Sequence, residues 1–217
     1  MKKIIAINCS PRPVWNTAAL VREAAKGAEA QGAKVTVIDL YKLEKFTGCV
    51  SCFACKLPEN PGKCICKDGL APVLEKIRNA DGLIIGSPNY FGDVTAGFRA
   101  LYERLIFQSL TYKTEVRSYN QRRIPVLMIM TSNASEDFYA RIGYDEMLKR
   151  YRGTLGTFVG PTKTLISSDT LQVNDYSRYN WTMFNAEHKK ERHEKVFPED
   201  KKKAYALGGL MVSGTWE

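Results

Sequence analysis

The residues most suggestive of chemistry in this sequence are a group of closely spaced cysteines. Five of the six cysteines follow the spacing C-x2-C-x2-C-x8-C-x-C: Cys49, Cys52, Cys55, Cys64 and Cys66. Where thiols are kept reduced, such a group more often binds a metal or carries out redox chemistry than forms disulfides. A chain of this length also folds without disulfides or a structural metal. The cysteines therefore indicate function.

The spacing allows three states of these thiols. Two-residue gaps let successive thiolates bind one [4Fe-4S] cubane, as in bacterial ferredoxins, with a more distant fourth ligand. Cys64 is the preferred fourth ligand because Pro61 and Gly62 can turn the chain back toward the first three cysteines, and Cys66 is the substitute. Zn²⁺ could instead take a tetrahedral set that leaves Cys55 free, namely Cys49, Cys52, Cys64 and Cys66. Unliganded thiols are the third state, because spacing alone does not identify a metal.

A second group of polar residues follows the first apolar run of the chain. Residues 8–17 contain hydroxyls, an amide and an arginine, and they lead into a predicted helix. Together with free N–H groups at a helix N-terminus, they are suited to bind a phosphate monoester. A capped helix start with a solvated arginine is the alternative. The P-loop and G-x-G-x-x-G patterns do not occur here. A cysteine phosphatase would need Arg in place of Trp15, so Cys9 is expected to be a small, buried residue.

Aromatic and amide side chains follow a later apolar run. In residues 86–93, a proline-fixed turn presents Asn89 beside Tyr90 and Phe91. Backbone groups of such a turn could hydrogen-bond the edge of a flat heteroaromatic ring while an aromatic side chain contacts its face. An ordinary turn with core aromatics is the alternative, but a position beside the anion loop favours ligand binding.

These loops need a sheet that brings them to one edge. Short apolar runs predict five strands, at residues 4–7, 35–38, 83–85, 126–130 and 164–166. Runs that are apolar on both faces are typical of a parallel sheet covered by helices on both sides. Helices are predicted at residues 17–31, from 68, across 98–106, at 138–150 and between 198 and 212. This order predicts a three-layer, doubly wound α/β fold with its ligand site at the carboxyl ends of the strands.

Taken together, these features resemble the flavodoxin-like NAD(P)H-dependent FMN reductases and, within them, the iron-sulfur flavoproteins. The resemblance rests on Ser10-Pro11-Arg12 with Asn16-Thr17, on the run from Gly86 to Gly92 and on the intervening cysteines, and it weakens after about Ser167. It implies a single flavodoxin-like domain over residues 1–217 with the strand order 2-1-3-4-5. The cysteines then lie in an insertion at about residues 41–67. Because this insertion follows the second strand, it leaves the sheet on the same edge as the flavin loops.

The resemblance also implies the cofactors and their contacts. The first loop would hold the FMN phosphate, a role carried onto Ser10, Arg12, Asn16 and Thr17. The second loop would lie against the isoalloxazine ring, a role carried onto Pro88, Asn89, Tyr90, Phe91 and Gly92. Residues 131–134 would close the other edge of the ring. The ligands expected for a [4Fe-4S] cluster are Cys49, Cys52, Cys55 and Cys64.

The implied activity is that of an FMN-dependent oxidoreductase. It would move electrons from NAD(P)H or ferredoxin to a quinone, an aromatic compound or another small acceptor. A non-enzymatic FMN and iron-sulfur carrier between proteins is the alternative. A zinc-containing or basic nucleic-acid-binding module ranks last, because the net charge of +9 includes a tract, residues 187–203, that mixes both signs. The family further implies a homodimer or homotetramer, with residues 107–119 as a candidate interface.

Composition removes other classes. No apolar stretch of about 18 residues could span a bilayer, and the apolar run after Lys3 stops at Asn8 without a signal-peptide cleavage site, so a cytoplasmic location is expected. The two histidines, His188 and His193, lie in the charged tract. We therefore expect neither Ser-His-Asp catalysis nor a His-rich metal site. Residues 167–195 have little periodicity, and no function is assigned to them.

Overall fold

The computed structural model describes residues 1–214 and 216, and it contains one parallel sheet in the order β2-β1-β3-β4-β5. The strands are β1 (Lys3–Asn8), β2 (Lys34–Asp39), β3 (Gly82–Pro88), β4 (Val126–Thr131) and β5 (Thr162–Ser167). The α-helices of the described residues are α1 (Asn16–Ala30), α2 (Ala71–Arg78), α3 (Ala96–Ser109), α4 (Tyr144–Phe158), α5 (Ala186–Lys195) and α6 (Phe197–Ser213). The predicted fold class and strand order are confirmed.

Helices cover both faces of the sheet, which explains why its central strands are apolar throughout. Every residue of β4 is buried. Met128 and Met130 pack into the core beneath α2, α3 and α4. Leu127 and Ile129 pack on the opposite face, against α1 and α6. Alternate side chains of one strand therefore fill two separate cores, as expected for a doubly wound fold.

Helices α1 and α6 pack unusually closely because glycines line their contact. A Cβ atom added to Gly208 would lie 1.8 Å from the carbonyl oxygen of Ala24. A Cβ atom on Gly27 would lie 1.9 Å from the carbonyl oxygen of Tyr205. The pair Gly208 and Gly209, which weakens the sequence-based case for a helix, therefore lies inside α6 and permits the close approach of the two backbones.

Two helices begin later than predicted, and one helix was not predicted at all. Helix α2 begins at Ala71 rather than Asp68, because the Asp68 carboxylate accepts a hydrogen bond from the Leu70 N–H in the preceding turn. The start predicted at residue 138 for α4 is wrong: two short 3-10 turns precede Gly143, whose φ of +75° ends them. Helix α5 lies in the segment left without assignment. Among the described helices, none combines the length and the apolarity needed to cross a bilayer.

Candidate functional site

A cleft of about 390 Å³ opens at the carboxyl ends of β1, β3 and β4. This is the edge where strand order reverses between β1 and β3, and it is the usual ligand position in such sheets. The cleft brings together every residue predicted to contact FMN except Gly92: Ser10, Arg12, Asn16, Thr17, Pro88, Asn89, Tyr90 and Phe91. Binding by these residues stays a prediction, but their convergence on one cleft supports it.

The loop after β1 leaves donors of α1 free. The Asn8 side chain accepts a hydrogen bond from the Ser10 N–H, and the Ser10 hydroxyl accepts one from the Arg12 N–H. Helix α1 begins after Trp15 with no side-chain cap and with no acidic residue in its first turn. The first-turn N–H groups are thus available to an anion, and the helix dipole favours negative charge there. The capped helix start considered as an alternative is not what forms.

Threonine hydroxyls at the base of the cleft join two of its loops. The buried Thr17 and Thr131 hydroxyl oxygens lie 2.8 Å apart, which links the start of α1 to the end of β4. The Asn89 N–H donates to the Thr131 carbonyl at 2.7 Å. The three loops that border the cleft are therefore held to one another through Thr131, so the cleft is preorganised by the protein itself.

The turn after β3 has a strained backbone and exposes an aromatic ring to solvent. Tyr90 and Asp93 exchange two backbone hydrogen bonds, and Phe91 and Gly92 between them have φ values of 53° and 83°. A non-glycine residue rarely adopts such a φ value, and the Phe91 ring is also fully exposed. Gly92 does not line the cleft, and its N–H donates to the Asn89 side chain at 2.9 Å. Strain and exposure together are typical of a ligand-contacting turn.

Two buried amide atoms of the cleft have no hydrogen-bond partner among the described residues. They are Nδ2 of Asn89, a donor, and Oδ1 of Asn133, an acceptor. A buried polar atom without a partner costs about 1–3 kcal/mol. A ligand that carries both acceptors and donors along its edge would satisfy both atoms. The edge of an isoalloxazine ring is of this kind.

The segment after β5 forms a wall of the cleft that the sequence did not predict. The Arg12 guanidinium donates to the Gln172 carbonyl at 2.7 Å. The Leu171 carbonyl accepts from both Trp15 and Asn16, at 3.1 and 2.8 Å. Burial lowers the pKa of Arg12, and Tyr90 and Tyr179 oppose that shift. The guanidinium nevertheless remains charged at neutral pH.

Aromatic side chains support this wall from behind. The Tyr179 and Trp181 rings stack with centroids 4.4 Å apart. Tyr176 and Phe184 pack edge-on against Trp181, which itself borders the cleft. The density of aromatic residues between positions 176 and 184 is the signal in the sequence that could have pointed to this wall.

A second pocket is lined by all five clustered cysteines. The cysteine segment begins near the cleft edge, where the Tyr41 hydroxyl accepts a hydrogen bond from the Gly97 N–H. It then runs along α3: the Cys49 N–H donates to the Glu103 carboxylate and the Cys64 N–H to the Gln108 side chain. At 1.5 Å per residue, this part of α3 lies about 10–18 Å from the helix start. The segment thus leaves the sheet at the cleft edge, and its cysteines lie farther along α3.

The thiols surround the pocket but do not form a finished ligand set. All six cysteines are free, and among the described residues no three Cys, His, Asp or Glu side chains are gathered as a metal site. Cys55 is buried and Cys52 is exposed. The Cys66 thiol points toward Asp68, with a sulfur-to-oxygen distance of 3.8 Å. Positive φ values at Ser51 and Phe53 show that the loop around the first three cysteines is strained.

Cys9 and the histidines lie outside both pockets. Cys9 is fully buried, which raises the pKa of its thiol and confirms the expected small core residue. His188 bonds to the Asp169 carboxylate at 2.8 Å. His193 stacks on Phe197 with ring centroids 5.0 Å apart. These contacts give each of the three residues a structural partner or environment, and His188 also lines a cavity next to the cleft.

The doubly wound sheet, with its strand order and a cleft at the carboxyl ends of its central strands, defines a flavodoxin-like protein. Solved structures share the fold. A NAD(P)H:quinone oxidoreductase from Methanothermobacter marburgensis matches with a TM-score of 0.68 at 13% identity, covering 97% of this chain and 96% of that one. An azoreductase from Bacillus anthracis matches with a TM-score of 0.67 at 14% identity, covering 96% and 99%.

The sequence belongs to the NADPH-dependent FMN reductase family, whose profile matches residues 2–141. An iron-sulfur flavoprotein of Methanocaldococcus jannaschii is 41% identical over 102 residues, which cover 47% of this chain and 51% of that protein. An iron-sulfur flavoprotein of Archaeoglobus fulgidus is 36% identical over 104 residues, covering 47% and 48%. The chain thus spans about half the length of the curated relatives it matches.

Proposed function

We propose that this protein is an FMN-dependent oxidoreductase with a [4Fe-4S] cluster, and that it moves electrons from NAD(P)H or ferredoxin to a quinone, an aromatic compound or another small acceptor. The observation that carries the FMN assignment is the unpartnered pair of amide atoms, Asn89 Nδ2 and Asn133 Oδ1, in a cleft of the FMN reductase fold. Family membership supports FMN binding. The iron-sulfur names of the relatives support the cluster.

In this proposal the loop after β1 binds the FMN phosphate. The first-turn N–H groups of α1 and the side chains of Ser10, Arg12 and Asn16 supply the donors. The ring would then lie across the ends of β3 and β4, where Asn89 and Asn133 hydrogen-bond its edge. Bound FMN supplies an acceptor and donor of a hydride or of single electrons. The protein orients the ring and excludes water from one face of it.

A cavity next to the cleft supports the proposal that the electron acceptor is a small planar molecule. It measures about 510 Å³ and shares Asn89, Phe91 and Asn133 with the cleft. Phe138, Tyr144, Met183 and Phe184 also line it. Its cation Lys189 is buried and paired with Asp169, so this ion pair adds no net charge to the cavity. A cavity with aromatic walls beside the ring suits a flat, apolar molecule such as a quinone.

The cysteine pocket fits an iron-sulfur cluster by the chemistry of its donors. Five thiols border one cavity, and thiolates are the ligands such clusters use. The proposed ligands are Cys49, Cys52, Cys55 and Cys64. Cys64 is preferred to Cys66 because the Cys66 thiol is directed at Asp68. Ligation requires the thiols to converge on the pocket, and Cys52, which is exposed, is the thiol that would have to turn inward.

The position of the pocket favours assembly with further copies of this chain. Two aromatic side chains beside the cysteines face solvent: Phe53 is about half-exposed and Tyr112 is largely exposed. Their rings contact each other. We propose that residues 107–119 take part in a homodimer or homotetramer. In that arrangement a neighbouring subunit's cleft could approach the pocket more closely than the cleft of the same chain does.

Electron transfer between proteins is the second candidate function. The observation that favours it is the solvent-facing position of the cysteine segment, where Cys52 is exposed. A carrier would react slowly with every small acceptor but would exchange electrons rapidly with ferredoxin. The expected cytoplasmic location and the expected absence of a nucleic-acid partner stay predictions.

The proposal is tested by adding FMN to the apoprotein and following flavin fluorescence. We expect one FMN per chain, and an oxidation of NADPH or NADH that requires both FMN and an added quinone. Asn133→Leu should weaken FMN binding about tenfold, because one ring hydrogen bond is lost. Asn174→Leu, at an exposed asparagine that does not line the cleft, is the matched control. Failure to bind FMN would overturn the proposal.

A further inference from the structure

Arg104 is a buried arginine in the half of α3 that faces the cysteine segment. It is only 2% exposed, although the neighbouring core positions Leu101 and Leu105 are apolar. One guanidinium nitrogen donates to both carboxylate oxygens of Asp68 at 2.7 Å, and the other terminal nitrogen donates to the Cys66 carbonyl at 3.2 Å. Arginine is almost never fully buried without a specific partner. Its presence in this position therefore needs a reason.

One donor of this guanidinium remains unused. The Nε–H of Arg104 is buried and has no partner among the described residues. Arg104 lines the cysteine pocket, whereas Asp68 does not. Among the described residues that line that pocket, Arg104 is the one with a charged side chain, and Lys56 adds a second cation beside the Cys55 thiol. Arg104 therefore presents its positive charge to the pocket, while the Asp68 carboxylate lies behind it, against the Cys66 thiol at 3.8 Å.

The charge of Arg104 is held firmly. An arginine guanidinium stays protonated in proteins, and here the Asp68 carboxylate, 2.7 Å from the guanidinium, favours the charged form further. A fixed cation in a place of low dielectric acts strongly on a nearby change of charge. One-electron reduction of a cluster with four thiolate ligands adds one negative charge at the pocket.

We propose that Arg104 raises the reduction potential of the [4Fe-4S] cluster by donating its Nε–H to a cysteine sulfur and by placing a fixed positive charge beside it. The inference rests on the cluster in the proposed function. Hydrogen bonds to sulfur and local charge are known determinants of cluster potential. The electron comes from the donor of the proposed reaction, and no proton or further reactant is needed. Arg104 is thus a positioning and tuning residue, not a ligand.

The role of Asp68 makes the inference specific. Asp68 partly cancels the field of Arg104 at the pocket, so its neutralisation should have the opposite effect. The N–H groups of Thr47 and Leu70 donate to different oxygens of Asp68, so Asp68→Asn removes the charge but keeps an acceptor for one of the two. A purely structural role for the pair predicts that both substitutions loosen the same loop and shift the potential in the same direction. Electrostatic tuning predicts shifts of opposite sign.

The test is a potentiometric titration of the reconstituted, full-length protein, followed by electron paramagnetic resonance of the reduced cluster. Arg104→Met should make the cluster about tenfold harder to reduce, which for a one-electron couple is a fall of 59 mV. Arg104→Lys keeps the charge but loses the Nε–H and should give a smaller fall. Asp68→Asn should raise the potential. Arg192→Met is the matched control: the Arg192 side chain is 10% exposed, is paired with Asp200 and also has an unpartnered N–H, but it lies away from the pocket.

The outcomes separate this inference from the proposed function. A wild-type protein with flavin but without iron would overturn the cluster and, with it, the role of Arg104. A wild-type cluster whose potential is unchanged in Arg104→Met, at equal iron content, would overturn the inference alone. Shifts of the same sign in Arg104→Met and Asp68→Asn would also overturn it. Should Arg104→Met fail to fold, Arg104→Lys and Asp68→Asn decide the matter, because their predicted shifts differ in sign.

Discussion

The guanidinium carbon of Arg12 lies 3.9 Å from the centroid of the Trp15 ring. Such cation–π contacts contribute about 0.5–2 kcal/mol. Here the contact holds a positive charge over the residue that immediately precedes α1, while the Gln172 carbonyl fixes the guanidinium from the other side. The charge is therefore in place at the uncapped helix start before a ligand binds. That arrangement suits a phosphate group rather than a flat ring.

Arg12→Met should accordingly weaken FMN binding by about 10–100-fold, because a charge-assisted hydrogen bond contributes about 1.5–3 kcal/mol. Riboflavin lacks the phosphate, so its affinity should hardly change. Fluorescence titration with the two flavins measures the difference directly. Arg178→Met, at an exposed arginine of the neighbouring wall, serves as the control. Equal losses of affinity for FMN and for riboflavin would show that Arg12 does not contact the phosphate.

Much of the fold could be predicted from the sequence, because a doubly wound sheet leaves a strong pattern. Residues 126–130 are apolar at every position, and a strand buried on both faces is the element that explains such a run. The loops after β1 and β3 were located for the same reason: strand ends in a parallel sheet meet at one edge. Phosphate and ring contacts were then assigned to residues that do converge on one cleft.

The parts that escaped prediction depend on backbone atoms or on distant contacts. The wall after β5 binds Arg12 and Asn16 through the backbone carbonyls of Gln172 and Leu171. Every residue type has a backbone carbonyl, so the sequence does not reveal these contacts. The cysteine segment was expected at the flavin edge because it starts there, but its later course is set by contacts with α3. The apolar stripe of α3 predicts which face of the helix is buried, but it does not predict which residue pairs with Arg104. The ion pair with Asp68 could therefore not be inferred from the sequence.

The choice of fourth cluster ligand leads to a second prediction. Cys64→Ser should leave well under half of the wild-type iron after anaerobic reconstitution, whereas Cys66→Ser should retain nearly all of it. The reason is that the Cys66 thiol is directed at Asp68. Iron analysis per chain is the measurement, and Cys9→Ala, at a buried cysteine outside the pocket, is the control. The reverse pattern would make Cys66 the ligand.

Stability should depend on one glycine of α6 and not on its neighbour. Gly208→Ala places a methyl group where the Ala24 carbonyl now lies, so we expect a loss of about 3 kcal/mol in the free energy of unfolding. At Gly209 the nearest atom to an added Cβ is 3.5 Å away. Gly209→Ala should therefore raise stability by about 1 kcal/mol through helix propensity. Urea unfolding of both variants tests this, and similar effects would contradict the close packing of α1 and α6.

The ion pair between Asp169 and Lys189 should make stability depend on pH. Burial alone would raise the pKa of Asp169, but its hydrogen bonds with Lys189 and His188 hold that pKa below the ordinary value. A lowered folded-state pKa stabilises the protein above the unfolded pKa of about 3.9, and this contribution is lost as pH falls through the folded value. Asp169→Asn should cost about 3 kcal/mol at pH 7, because the buried Lys189 loses its counter-charge.

The measurement is urea unfolding of wild type and Asp169→Asn between about pH 2.5 and 7. The difference between the two proteins should shrink as the pH falls below 4. The exposed Asp137→Asn is the control and should follow the wild type throughout. A difference that stays constant with pH would mean that Asp169 acts through packing and not through its charge.

The central claim is that one chain holds both FMN and a [4Fe-4S] cluster. It is tested most directly by an absorption spectrum of protein purified without oxygen, together with iron and zinc analysis of the same sample. We predict two flavin bands, a broad iron-sulfur absorption near about 400 nm, and about four irons per chain with no zinc. Flavin bands with zinc or with no metal would contradict the cluster, and a protein that takes up no flavin even from added FMN would contradict the whole account.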